Sequence, residues 1–283
     1  INGGPAVRTR LFPAYNTITE AEKQAAMEVL DSGNLSQFLG GWHPDFFGGP
    51  QVLAFEKEWS EAFGAKHTVS VNSNTSGLFA ALGAAGVGPG DEVIVSPYTM
   101  TASAIAPVVY GAVPVFADVQ DDIFTLDPKS IEERLSPRTK AIIVVHLFGH
   151  PADMDPIMEI ARKHGLVVIE DCAQSPLTTY KNRLVGTIGD MGVFSLNYHK
   201  HIHTGEGGMV TTNSDHYAER VQLIRNHAEN AAVPKGVKDL SNMWGFNYRL
   251  TEIQAAIGSK QLERLESYIA VRIENCRYLA EKL

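Results

Sequence analysis

The chain of 283 residues is poor in cysteine, carries few basic residues for its size and has no long apolar run. Its two cysteines, Cys172 and Cys276, match neither a zinc-ligand spacing nor a disulfide framework, so a reducing, cytoplasmic setting is expected. Lys and Arg number 24 against 32 Asp and Glu, giving a formal net charge of −8. That balance argues against non-specific nucleic-acid binding, which needs a basic face. It leaves room for a small anion held by backbone amides. No stretch approaches the roughly 20 apolar residues of a membrane span, so no membrane partner is expected. The opening Ile1-Asn2-Gly3-Gly4-Pro5 lacks the basic head and apolar core of a signal peptide. Neither internal repeats nor low-complexity tracts occur. The absence of an initial Met, and a helical pattern still running at Leu283, raise the expectation of a piece of a longer protein.

What is present is ordinary globular material: 44% hydrophobic and 20% charged residues exclude disorder and coiled coil. Thr19 to Ser32 reads as a helix, with Thr19 and Glu22 as a capping box and Gly33 as its C-terminal glycine. Residues 34–50 are too rich in Gly, Pro and aromatics for a regular element and long enough for a functional loop. From residue 51 a rhythm sets in. Helical patterns over 51–64, 75–86, 100–110, 128–135, 153–164 and 215–227 alternate with apolar runs. The runs are His67–Val71, Val93–Val95, Val113–Phe116, Ala141–Val145 and Leu166–Ile169, and a further strand is expected at Met209–Thr212. Val- and Ile-rich runs between helices predict parallel strands buried on both faces, hence an α/β layered domain with right-handed crossovers. Residues 1–250 are expected to form that large domain with an N-terminal arm. Residues 251–283 are expected to form one long helix leading to a missing small C-terminal domain.

Ligands in an open α/β sheet bind at the carboxyl ends of the strands, and four segments there carry candidate chemistry. Ser73-Asn74-Thr75 follows a strand and opens a helix, where it can cradle a phosphate or simply cap the helix. An apolar strand ends in Glu170-Asp171, with Gln174 three residues on. Those carboxylates suit catalysis, Mg²⁺ binding or capping. Lys200 lies among apolar, aromatic and imidazole neighbours, the setting that lowers an amine pKa. On a strand, His199, His201 and His203 would share one side, but without an acidic or thiol ligand among them a metal is not expected. Asn247-Tyr248-Arg249 precedes the last helix as a capping loop or an anion contact across a subunit interface.

Taken in order, these segments resemble the DegT/DnrJ/StrS family of sugar aminotransferases, which use pyridoxal 5′-phosphate (PLP). The resemblance rests on Gly90-Asp91-Glu92-Val93-Ile94-Val95 with Pro97-Tyr98-Thr99, and on the strand within residues 111–119. It continues through Glu170-Asp171-x-Ala173-Gln174, and through Ser195 and Lys200 followed by Gly205-Glu206-Gly207-Gly208. It ends with Asn247-Tyr248-Arg249 ahead of Glu252–Gly258. It implies an aspartate-aminotransferase-like fold of type I, with a mostly parallel sheet between helices. It implies Lys200 as the Schiff-base lysine and proton carrier, and Asp171 as the partner of the pyridinium. By the same resemblance Gln174 lies near the ring's phenolic oxygen, and Asn74, Thr75 and Ser195 hold the phosphate. Tyr98 or Met100 stacks on the ring. Asn247 reaches the phosphate of a neighbouring subunit, which implies a homodimer with shared sites.

The implied reaction moves an amino group from L-glutamate or L-glutamine to a nucleotide-linked keto-sugar or a keto-cyclitol. The opening residues 1–8 lean toward the cyclitol members. The alternatives are a PLP sugar dehydratase, a branch in which histidine replaces the lysine, and a catalytically silent sensor. Trp42, His43, Phe46 and Phe47 are expected either to contact the acceptor or to form an anchoring aromatic cluster. Asn74 stands where the family's phosphate loop often has glycine, and its side chain is expected to narrow the approach to the phosphate.

Overall fold

The computed structural model describes residues 3–6, 8–13 and 15–283. Ile1, Asn2 and Val7 of the opening octapeptide therefore lie outside the described residues. Helix α1 (Glu20–Ser32) starts and stops where its signals stand: Thr19 and Glu22 close a capping box, and Gly33 takes the left-handed conformation at φ 69°. Helix α2 (Pro50–Phe63) opens on a proline, which has no N–H to leave unpaired.

Strands β1 (His67–Val71), β2 (Glu92–Val95), β3 (Val113–Phe116), β4 (Thr139–Val145) and β5 (Val167–Asp171) follow, separated by α3 (Asn74–Ala84), α4 (Ala102–Val108), α5 (Pro128–Arg134) and α6 (Met154–His164). A short hairpin, β6 (Thr179–Tyr180) and β7 (Arg183–Leu184), stands outside the main sheet. Strands β8 (Met191–Ser195) and β9 (Gly208–Thr212) complete that sheet, and α7 (Asp215–Arg225) and α8 (Ala228–Lys235) come after them.

The main sheet has seven strands in the order β1-β9-β8-β5-β4-β2-β3. Strands β3, β2, β4, β5 and β8 run parallel, while β9 is antiparallel to both of its neighbours. The expected mostly parallel α/β sheet is thus present. Side chains alternate across it as the period of two demands. Val93, Val95, Ile143, Ile169 and Val193 pack on one face with α3 and α4. Ile94, Ile142, Val144, Val168 and Phe194 pack on the other with α2 and α6. Helix α3 sits close to the sheet because it is built of small residues: a Cβ on Gly77 would lie 2.6 Å from Val193 Cγ1.

The single helix expected over the last residues is two helices, α9 (Glu252–Leu262) and α10 (Leu265–Lys282). Arg264 breaks the run at φ −114° and ψ 2°. Its guanidinium donates to the Thr17 carbonyl at 3.2 Å and to the buried Glu22 carboxylate, drawing the chain off the helical path. Leu265, just beyond, is buried. Among the described residues no helix is long and apolar enough to cross a membrane.

Candidate active site

The carboxyl ends of β1, β4, β5 and β8 open onto a cleft of about 150 Å³. Its lining includes Ser73, Asn74, Thr75, Met100, Asp171, Gln174, Ser195 and Lys200. One wall is the N-terminus of α3. Ser73 caps it, its Oγ accepting from Ser76 N at 3.0 Å, and its carbonyl accepts from Gly77 N. That leaves the first-turn amides of Asn74 and Thr75, two residues that line the cleft, as the natural donors for an anion.

Asp171, the last residue of β5, is 5% exposed. Its Oδ1 accepts from Asn74 Nδ2 at 3.3 Å and from Ala173 N at 3.1 Å, and its Oδ2 accepts from Ser103 Oγ at 3.1 Å. Burial pushes its pKa above the ordinary carboxylate range, and the hydrogen bonds and Lys200 oppose that rise. Lys200 is half-buried in the turns between β8 and β9, and burial lowers its pKa while Asp171 opposes the shift. Desolvation therefore outweighs the mutual attraction of the pair, and both groups are moved toward their neutral forms.

Gln174 lies in the cleft with its Oε1 accepting from Phe148 N at 2.8 Å. Ser195 ends β8, and its Oγ accepts from Asn197 N at 3.3 Å. Met100 lines the cleft, whereas Tyr98 lies in the adjoining depression with Phe148. Asn247 is exposed and absent from the cleft lining; its carbonyl accepts from Asn72 Nδ2 at 3.3 Å.

Several expectations are corrected. The Asn74 side chain does not narrow the phosphate approach, because it is buried and turned toward Asp171 and the Val193 carbonyl. His199, His201 and His203 lie in the irregular segment between β8 and β9 rather than on a strand, and of the three only His199 lines the cleft. His203 Nδ1 accepts from Gly205 N, and burial helps lower the pKa of His201 to about 4. Glu170 is structural: its oxygens accept from His146 Nε2 and from the backbone N–H groups of Gly186, Ile188 and Gly189, leaving no position for a cation. Trp42, Phe46 and Phe47 form the edge-to-face cluster, pinned where Asn226 and Arg225 donate to the Phe46 and Phe47 carbonyls. None of Trp42, His43, Phe46 and Phe47 lines the cleft.

Ser103, Asn197 and Glu206 escaped the sequence reading. Ser103 holds Asp171 from α4, and Asn197 Nδ2 donates to Glu206 Oε1 at 2.8 Å on the cleft wall. Of these, only Glu206 had a local signal, inside the Gly-Glu-Gly-Gly motif.

A strand-end carboxylate, a desolvated lysine and a helix N-terminus around one cleft, on this strand order, define an aspartate-aminotransferase-like fold of type I. An aminotransferase from Psychrobacter cryohalolentis shares the architecture at a TM-score of 0.83 and 38% identity, over 94% of this chain and 67% of that one. The chain belongs to the DegT/DnrJ/EryC1/StrS aminotransferase family, which it matches over residues 16–283. It is 44% identical to a GDP-perosamine synthase of Caulobacter vibrioides, over 97% of this chain and 70% of the relative. It is 41% identical to the spore coat polysaccharide biosynthesis protein SpsC of Bacillus subtilis, over 88% of this chain. The match spans 63% of SpsC, just under two thirds of its length.

Proposed function

We propose that this chain is the cofactor-binding part of a PLP-dependent aminotransferase that converts a keto-sugar or keto-cyclitol to an amine, with L-glutamate or L-glutamine as donor. The observation that carries it is that Lys200 and the buried Asp171 line one cleft together with the α3 N-terminus. The residues fit the cofactor. First-turn amides and the Thr75 and Ser195 hydroxyls suit a phosphate, and a buried carboxylate with acceptor capacity to spare suits a ring N–H. Met100 supplies an apolar surface in the cleft where Tyr98 does not.

Bound PLP supplies an electrophilic carbon and a ring that takes up electrons. The chain's residues do the rest. Lys200 Nζ, its pKa lowered by burial, is the amine that would tether the cofactor. Freed from that tether, Nζ would be the base that carries the proton between the substrate carbon and the cofactor carbon. Asp171 would pair with the ring nitrogen and favour its protonated form. Gln174 adds a side-chain amide to the cleft wall, available to the ring's phenolic oxygen. Asn247, outside its own cleft, serves the site of a second copy of the chain, so the active unit is a homodimer.

The retained Lys200 favours amine transfer over dehydration. A nucleotide-linked acceptor is favoured by the similarity to a GDP-perosamine synthase.

The test is to incubate the protein with PLP, reduce with borohydride and map the labelled peptide. Label at Lys200, lost in Lys200→Ala, is expected, together with bleaching of the visible band by L-glutamate or L-glutamine. Label spread over surface lysines, with a band indifferent to both amino acids, would overturn the reading. Mixed dimers of Asn247→Ala and Lys200→Ala chains, each folded and dimeric, should regain activity at one of their two sites.

A further inference from the structure

Asn74 occupies the first position of α3, yet its side chain bridges to the far strands of the cleft. The same amide nitrogen donates to Asp171 Oδ1 at 3.3 Å and to the Val193 carbonyl at 3.2 Å. Both facing atoms are acceptors, so the amide has one tenable orientation: turned over, its oxygen would oppose a carboxylate and a carbonyl. From the opposite side Ser103, fully buried in the first turn of α4, donates its Oγ hydrogen to Asp171 Oδ2 at 3.1 Å.

A carboxylate offers about four acceptor positions, two on each oxygen. On Oδ1 both are taken, by Asn74 Nδ2 and Ala173 N. On Oδ2 Ser103 takes one. The single position left belongs to Oδ2 of a residue that lines the cleft.

We propose that Asn74 and Ser103 are positioning residues that clamp the Asp171 carboxylate, fixing its rotamer and stabilising its anion so that Oδ2 alone is presented to a ring N–H. The clamp rests on the reading of Asp171 given above for its purpose, but not for its existence. Both clamp donors act on the ionised form, against the burial that disfavours it. The other groups that bear on Asp171 are the Ala173 N–H and Lys200 across the cleft.

The experiment uses cofactor-free protein carrying ¹³C-carboxyl aspartate, titrated by NMR. The Asp171 resonance is the one missing from Asp171→Asn. Asn74→Ala and Ser103→Ala should each raise its midpoint by about one pH unit, a tenfold change in proton affinity. Asn74→Ala should also weaken PLP binding about tenfold, measured by equilibrium dialysis. A role confined to packing would lower the melting temperature and leave the midpoint where it was, and that result in folded variants overturns the proposal. Ser103→Ala, approached from the other oxygen, decides the matter if Asn74→Ala fails to fold. Shifted midpoints in a protein that takes up no PLP would uphold the clamp and sink the cofactor reading, so the two failures are distinguishable.

Discussion

His146 and Glu170 face each other between neighbouring strands with Nε2 and Oε2 2.9 Å apart, both without exposed surface. His146 Nδ1 accepts from Ala152 N at 3.0 Å, so the ring proton sits on Nε2 and is donated to Glu170. With three backbone N–H groups also donating to it, Glu170 joins β5 to the turn that leads into β8. Glu170→Ala strands four donors, two of them fully buried and two partly so. It should lower the unfolding free energy by about 3 kcal/mol or more, measured by urea denaturation of the cofactor-free protein.

Gly208 opens β9 against the first turn of α3. A Cβ there would lie 2.7 Å from Ser73 C and 2.8 Å from Asn74 N, both backbone atoms that cannot swing aside. Gly208→Ala should cost about 1–3 kcal/mol and displace the wall of the cleft formed by the α3 N-terminus. Loss of PLP affinity in calorimetric titration, beyond any change in melting temperature, is the expected signature.

The pH dependence of stability offers a test of Asp171. Its folded pKa lies above the ordinary value of about 3.9, because burial outweighs its hydrogen bonds. The folded state then holds the proton more tightly than the unfolded chain does. Stability contributed by this group is present at low pH and is lost as pH rises through the window above about 4. Asp171→Asn removes the buried anion, so the cofactor-free variant should be the more stable protein at pH 7 and lose that advantage toward pH 4. Urea midpoints across that range decide it, and a variant less stable at pH 7 contradicts it.

Arg225 is fully buried, with Nη1 2.5 Å from Glu56 Oε1 and Nη2 donating to the Phe47 carbonyl at 3.2 Å. Arg225→Met leaves Glu56 buried and unpaired and should cost about 3–5 kcal/mol. Adding Glu56→Leu should restore part of that loss, because the orphaned charge is gone. Strict additivity in the double-mutant cycle would show that the pair does not interact.

The layered sheet was legible because each strand is a short run of β-branched residues between turn signals, and because Thr19, Glu22 and Gly33 mark helix ends by local chemistry. Strand β8 was not: its apolar residues follow a glycine-rich turn and include Gly192. Helix α8 hid behind Pro234, which lies within it. The break at Arg264 could not be read locally, since the Glu22 that draws Arg264 aside is 242 residues away. The cleft divides in the same way. Lys200, Asp171 and Gln174 stand in a motif order that the chain itself displays. Ser103, and the inward turn of Asn74, depend on partners 68 and 97 residues distant that only folding brings near.

The antiparallel β9 has a consequence for how the lysine is carried. Ser195 at the end of β8 pairs directly with Gly208 at the start of β9. Lys200 therefore rides in a hairpin loop anchored at both ends to one rim of the sheet, where a parallel successor would have required a helical return across the molecule. Such a loop closes locally, at an entropy cost that grows slowly with its length. Insertions or deletions within residues 197–206 can then move the amine over the cleft while the layers below keep their register. The Lys200 amine is mounted like an adjustable arm on a fixed bench, and its reach can change without rebuilding the scaffold.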